Sequence, residues 1–362
     1  MKKSTELVSV TGAAVMSVLA MVNAGAQGEY IGAEKGIQES NRPKLAQAFP
    51  DYANTPDGMT LDDKTGDIFM ASPNFNDASY PGVILKIDKK NKSSIYYVMP
   101  IHPVTKRGCP MGMDIGPDNN LYVADNQYFY DKNHQSRLMR ITREKGEPTG
   151  CDIAVDGINL ANAVLWMDDA VYITDTFFDK PCESGIWRIT MDEMKNGIVH
   201  LKPTNDPHLL ATFKTVPNHR KDVAGADGIT RDSKKNIYVG NFGDGVISKI
   251  TIDKKGKATS KILINDPRLS CADGMFCDLK TDIIYVTDSE KNAIHAFTPE
   301  GKWWTFWKNG DTDGSDGLLD QPCEIVIRGN DMFVACFDMP FPGLTNQKYD
   351  KWHTLSVIKM KR

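Results

Sequence analysis

Six segments of this chain share one grammar at a spacing of about fifty residues, and a period of that length narrows the possible folds more than any other feature. The segments are PDGMTLDDKTGDIFMAS from Pro56, PMGMDIGPDNNLYVADN from Pro110 and ANAVLWMDDAVYITDT from Ala161. They continue with ADGITRDSKKNIYVGN from Ala226, ADGMFCDLKTDIIYVTDS from Ala272 and PCEIVIRGNDMFVACFD from Pro322. Each reads as two short alternating strands around a Gly, Asn or Asp turn, and each is followed by two further strand-like runs, such as VILKID and SIYYVMP in the first unit. Helical solenoids lack this pattern. The expected fold is all-β, a six-bladed β-propeller.

The sixth unit supplies only one further strand, LSVIKM from Leu355, before the chain ends. The run KLAQAFP, residues 44–50, precedes the first unit and resembles the outer strands of the others. It is expected to complete the last blade, so that an N-terminal strand closes the ring and leaves no free seam.

Residues 1–26 read as a signal peptide, with Lys2 and Lys3 before an apolar run and Ala24-Gly25-Ala26 as the cleavage pattern. The run spans about 16 residues, short of the ~20 that a membrane span needs. The mature chain, residues 27–362, is expected to be one exported domain, periplasmic or secreted, with no membrane span. The full sequence's formal net charge of −4 and lack of a basic run argue against a nucleic-acid partner. Seven cysteines in an oxidising compartment make one or two disulfides an expectation. Cys271 and Cys323, which precede the same repeat element in neighbouring units, are the first pair to consider.

In a propeller the loops between second and third strands reach one rim. Four of them are long here: SPNFNDASYPG, NQYFYDKNHQS, TFFDKPCESG and FDMPFPGLTNQKYDKWH. They carry eleven aromatic residues, among them Phe75, Tyr128, Phe129, Phe177, Phe178, Phe337, Phe341 and Tyr349. The aromatics either pack the loops together or line a partly apolar mouth suited to a small, partly hydrophobic substrate.

The equivalent positions at the start of the inner strands read Asp57, Met111, Asn162, Asp227, Asp273 and Glu324. Inner strands line the axial channel, so four carboxylates and one amide should converge and repel unless something neutralises them. Oxygen-only ligands point to a hard divalent cation, Ca²⁺ first, with Mg²⁺ or Mn²⁺ possible. The competing reading is that D-G pairs merely serve turns. A second set, Asp125, Asp175 and Asp288 with Asn126 and Asn241, ends the second strands and is expected to cap turns. His102, His134 and His219 lie in loops without a recognisable motif, and no G-x-S-x-G elbow is present.

The units PDGMTLD, NAVLWMDDAVYITDT, ADGITRDSKKNIYVGN and ADGMFCDLKTDIIYVTDS resemble the regucalcin–gluconolactonase family of six-bladed propellers, to which diisopropylfluorophosphatase and paraoxonase are related. The resemblance covers the chain from about residue 45 to its end. It implies one Ca²⁺ or similar ion in the channel, held at positions matching Asp57, Asn162, Asp227 and Asp273, with Glu324 as an added acid. It also implies hydrolysis of a lactone or ester, with Asp273 activating water as general base, Asp227 beside it, and Asn162 orienting substrate or completing the metal shell. Asp57 stands where the family has Glu, and Asp227 where it has Asn. Two alternatives stay open: a lyase, isomerase or strictosidine-synthase-like enzyme using the same acidic ring, and a non-enzymatic ligand-binding propeller.

Overall fold

The computed structural model describes residues 28–32, 37–203, 205–347 and 351–360. The expected signal peptide and Tyr349 lie outside the described residues. Six sheets, antiparallel apart from two short edge strands, follow one another along the chain, one for each repeat unit, and the protein is a six-bladed β-propeller. Each blade starts at its inner strand: Met59–Leu61, Pro110–Ile115, Ala161–Met167, Ala226–Arg231, Met275–Asp278 and Pro322–Arg328. The only described α-helix is one short turn, Met191–Lys195, held by a capping box between Thr190 and Glu193. None of the described helices is long and apolar enough to cross a membrane.

The ring closes as the repeat count requires. Strand Lys44–Phe49 pairs antiparallel with His353–Lys359, from Lys44 opposite Val357 to Phe49 opposite His353, and becomes the outer strand of blade six. Two blades carry a fifth strand. Glu29–Tyr30 runs parallel to Lys302–Lys308 on blade five, and Val199–His200 runs parallel to Glu147–Ile158 on blade two. Both additions cover an edge that would otherwise offer free backbone groups.

The core is divided among the seams. Six apolar clusters each join two neighbouring blades. Between blades two and three, Tyr122, Trp166 and Trp187 interlock; between blades four and five, Tyr238, Phe297 and Trp303 do so. The closing seam includes Phe49 from the N-terminal strand, packed with Phe333 of blade six and Met59 and Leu85 of blade one.

The recurring D-G pair has a cause other than a turn. The glycines lie at the start of the inner strands, where backbones of adjacent blades nearly touch. A Cβ on Gly58 would meet Gly112 Cα at 2.5 Å, one on Gly228 would meet the Asp273 carbonyl at 2.0 Å, and one on Gly274 the Cys323 carbonyl at 2.2 Å. The narrow axis selects glycine by close approach.

The second-strand acids cap turns as expected. Asp125 accepts from Cys109 N and Arg137 Nε, Asp175 from Asn159 N, Leu160 N and Trp187 Nε1, and Asp288 from Ser270 N. Each thereby ties its second strand to the segment entering the same blade. The disulfides do not form: all seven cysteines are free, and five are buried. Cys323 is held by its own seam, its Sγ donating to the Pro56 carbonyl at 3.2 Å.

Candidate functional site

A cavity of about 180 Å³ opens on the axis at the rim of the long loops. Its floor is the repeat position read from the sequence. Asp57, Met111, Asn162, Asp227 and Asp273 all line it, and Cys323 supplies the sixth residue.

Glu324 does not join them, which corrects the expected alignment by one residue. Pro322 pairs with Cys336 as Pro110 pairs with Asp125, Ala161 with Asp175 and Ala226 with Asn241, so the next residue, Cys323, falls where the other blades place Asp, Asn or Met. Glu324 takes the glycine position, and neighbouring strand residues point to opposite sides. Its carboxylate lines a separate cavity below the ring, with Oε1 accepting from Ile325 N at 2.8 Å.

Asn162 and the three floor acids each have a distinct set of partners. Asn162 Nδ2 donates to Asp227 Oδ2 at 2.8 Å and approaches Thr176 Oγ1 at 3.2 Å; Thr176 in turn donates to the Ala226 carbonyl at 2.7 Å. Ser289 Oγ donates to Asp273 Oδ2 and lies 2.9 Å from the Pro322 carbonyl. Asp57 is only 8% exposed, yet its Oδ2 has no hydrogen-bond partner. Among the described residues no Lys, Arg or His lines this cavity.

Burial without a counter-charge sets the electrostatics. Burial is the main cause pushing Asp273 up to about 7, against the opposing bonds from Ser289 and Gly274 N. Burial also lifts Asp57 well above the usual carboxylate range, with the Asp273 charge adding to it. Asp227 is raised well above that range by burial, then by Asp273, Asp57 and Glu324. The donor set is oxygen-rich and anionic, which fits a hard divalent cation by chemistry. Among the described residues, however, no three His, Cys, Asp or Glu side chains are drawn together as a ready-made metal cluster.

A stability prediction follows from these shifts. An Asp in the unfolded chain ionises near pH 3.9, whereas Asp273 keeps its proton in the fold to about pH 7. Between those values the folded state binds more protons, so stability is highest below pH 4 for this group and falls as pH rises through 7. Chelator-treated protein is therefore expected to melt at a lower temperature at pH 8 than at pH 5. Added Ca²⁺ should raise the melting temperature most at pH 8. Equal melting temperatures at the two pH values would show that the floor acids do not carry this linkage.

The cavity wall is apolar. Phe129, Phe177, Phe337 and Phe341 come from three of the long loops, and Phe242 from the short loop of blade four. Three further rim aromatics brace these loops. Tyr128 stacks on Phe177 at 4.7 Å, Phe75 packs edge-on to Phe129 and Phe337, and Phe178 packs on Trp187 in the core. The three loop histidines are occupied elsewhere. His102 accepts from Val104 N, His134 contacts Asp179 and His219 contacts Glu290.

Three site residues escaped the sequence reading in the role that they occupy. Phe242 sat in a loop too short to draw notice, and Ser289 follows a second strand. Asn126, grouped with the turn caps, lines the cavity. Tyr128 N donates to its Oδ1 at 2.9 Å, which orients the amide and leaves Nδ2 buried without a partner.

No protein-family model and no curated protein matches the sequence. Solved structures do match the shape. Regucalcin from Agrobacterium tumefaciens, a calcium-binding protein, superposes with a TM-score of 0.57 at 9% identity over 92% of this chain and 97% of its own. A gluconolactonase from Xanthomonas campestris gives 0.53 at 11% identity, over 88% of this chain and 95% of its own. The fold is the one these two proteins share. A PQQ-bound aldose sugar dehydrogenase from Streptomyces coelicolor matches as well, at 0.56 and 13% identity over 88% of this chain and 97% of its own. At such identities the likeness establishes the propeller, and the chemistry has to be argued from the cavity.

Proposed function

We propose that the protein is a divalent-cation-dependent hydrolase of a lactone or ester, exported from the cell by residues 1–26. The observation that carries this reading is the cavity floor, where three carboxylates and an amide meet without a basic side chain. Asp57, Asn162, Asp227 and Asp273 are the residues that would hold the ion, with Ca²⁺ the first candidate and Mg²⁺ or Mn²⁺ the others. The cation, when bound, supplies Lewis-acid polarisation of the substrate carbonyl. Proteins of the same fold are described as a gluconolactonase and a calcium-binding regucalcin, which supports the reading.

The chain's own residues perform the remaining tasks. Asp273, poised by burial near neutrality, takes the proton from the attacking water, and Ser289 fixes its orientation. Asn126 Nδ2 donates a hydrogen bond to the carbonyl oxygen as it becomes an oxyanion. Asn162 keeps the Asp227 carboxylate turned to the floor. The phenylalanine wall excludes water from the acyl side.

The test is hydrolysis of a panel of lactones and aryl esters by purified protein before and after EDTA, and after Ca²⁺ is returned. Activity should vanish with the chelator and return with the ion; hydrolysis indifferent to EDTA, or none of any substrate, overturns the proposal. Asn126→Asp keeps the acceptor for Tyr128 N and removes the donor. It is expected to lower kcat by roughly 10²–10³-fold while the far-UV spectrum and melting temperature hold. Unchanged kcat would remove Asn126 from the mechanism.

A further inference from the structure

One residue of the cavity lining departs both from its repeat and from ordinary backbone geometry. The residue that enters the inner strand is Thr55, Cys109, Leu160, Gly225 and Cys271 in the first five blades, and Gln321 in the sixth. Gln321 holds φ at +56°, in the left-handed region that residues other than Gly, Asn and Asp seldom adopt. Neighbouring segments fix it there: its N–H donates to Asn292 Oδ1 at 2.9 Å, and its carbonyl accepts from Phe337 N at 2.9 Å. The side chain is equally constrained. Its Oε1 accepts the Met339 N–H, which sets the amide orientation, since a flipped amide would put two donors face to face. That leaves Nε2, which donates to no described residue. Gln321 is 1% exposed and lines the cavity, so the cavity is the space open to that donor. A strained residue held in place by several partners, with one donor left over at a cavity, is built to meet a ligand.

We propose that Gln321 is a specificity-determining residue whose Nε2 donates a hydrogen bond to an acceptor oxygen of the ligand. Asn126 Nδ2 is likewise without a partner, so the lining offers two amide donors, one from blade two and one from blade six. A ligand that satisfies both carries two acceptor oxygens. This role rests on the hydrolase reading in treating the cavity as the reaction site, and it makes an oxygen-substituted lactone or ester the substrate class. Asn126 meets the scissile carbonyl, and Gln321 meets a keto, ether or hydroxyl oxygen elsewhere in the molecule. An analogue without that oxygen leaves the amide unpaired, which a site rejects far more strongly than a missing methylene.

The test uses uncharged probes on one skeleton: propylbenzene, 1-phenyl-1-propanone and 1-phenyl-2-propanone. A volume of about 180 Å³ accommodates one aromatic ring with a short substituent, since a cavity of ~150 Å³ takes benzene. Each is titrated by NMR into EDTA-treated, ¹⁵N-labelled protein, wild type and Asn126→Asp, the latter leaving Gln321 as the remaining amide donor. The Gln321 side-chain resonance is identified by its absence from Gln321→Met and from Gln321→Glu, which keeps an acceptor for Met339 N. In Asn126→Asp at least one ketone should bind roughly tenfold more tightly than propylbenzene and shift that resonance. Adding Gln321→Met should bring the ratio to about one with propylbenzene affinity unchanged. Ketones and propylbenzene binding alike in Asn126→Asp, a ketone advantage that survives Gln321→Met, or a Gln321 amide unmoved at saturation overturns the role. The two readings fail separately. Ketone preference through Gln321 without hydrolysis of any ester sinks the hydrolase alone, and chelator-sensitive hydrolysis with the Gln321 amide unmoved sinks this contact alone.

Discussion

A chain beginning at Asp51 is expected not to fold, whereas one beginning at Ile37 should fold with a modest loss of stability. The first deletion removes strand Lys44–Phe49, exposes the edge of His353–Lys359 and takes Phe49 out of the seam between blades six and one. Burying a phenylalanine contributes about 1.5–3 kcal/mol, and the whole domain has only about 5–15 kcal/mol to lose. The loss is also not local, because a ring with one open seam lets the two flanking blades separate. Gly317 shows how closely this strand is seated: a Cβ there would fall 1.7 Å from Leu45 N. The second deletion removes only the strand Glu29–Tyr30, where Tyr30 packs on Trp303 at 4.5 Å and Arg268 lies 3.7 Å above the Tyr30 ring. That edge addition belongs to blade five alone and costs about 1–2 kcal/mol. Circular dichroism melts decide the matter. A cooperative transition at the full-length temperature in the chain beginning at Asp51 would refute closure by this strand.

The architecture was legible because a propeller writes its fold as a repeat. The six inner strands, the missing sixth outer strand and its replacement by residues 44–49 all follow from counting strands per unit. The site was less legible, because in a strand one residue of register decides which face a side chain reaches. Glu324 attracted attention as an acid, but the Pro322-Cys323-Glu324 step matches Ala272-Asp273-Gly274 only when Cys323 is set against Asp273. The glycines of the D-G pairs would have exposed that slip had they been read as contacts between blades, since Glu324 then stands in a glycine column. Asn126 was classed with the turn caps because sequence places it beside Asp125. The Tyr128 N–H takes its Oδ1 and leaves its Nδ2 buried without a partner, which sequence does not record. Phe242 and Ser289 become site residues through the curvature of the ring, which no local pattern records.

Replacing Asp273 with Asn should lower kcat/KM for the best lactone or ester by about 10²–10⁴-fold, the usual worth of a general base. Asn keeps a carbonyl oxygen for the Ser289 hydroxyl, so the floor geometry and the melting temperature should survive. The pH dependence provides the sharper test. With Asp273 near 7, kcat/KM should rise with pH through an inflection close to neutrality at low Ca²⁺, because only the ionised carboxylate accepts the proton. The Asp273 charge in turn raises Asp57 and Asp227 further above the usual carboxylate range. Saturating Ca²⁺ places positive charge beside the carboxylate and should carry the inflection to lower pH. Ser289→Ala should move it the other way, since the hydroxyl stabilises the anion. A merely structural serine would alter stability and leave the inflection in place. If the acid limb stays near 7 in Ser289→Ala and persists in Asp273→Asn, the base is another group.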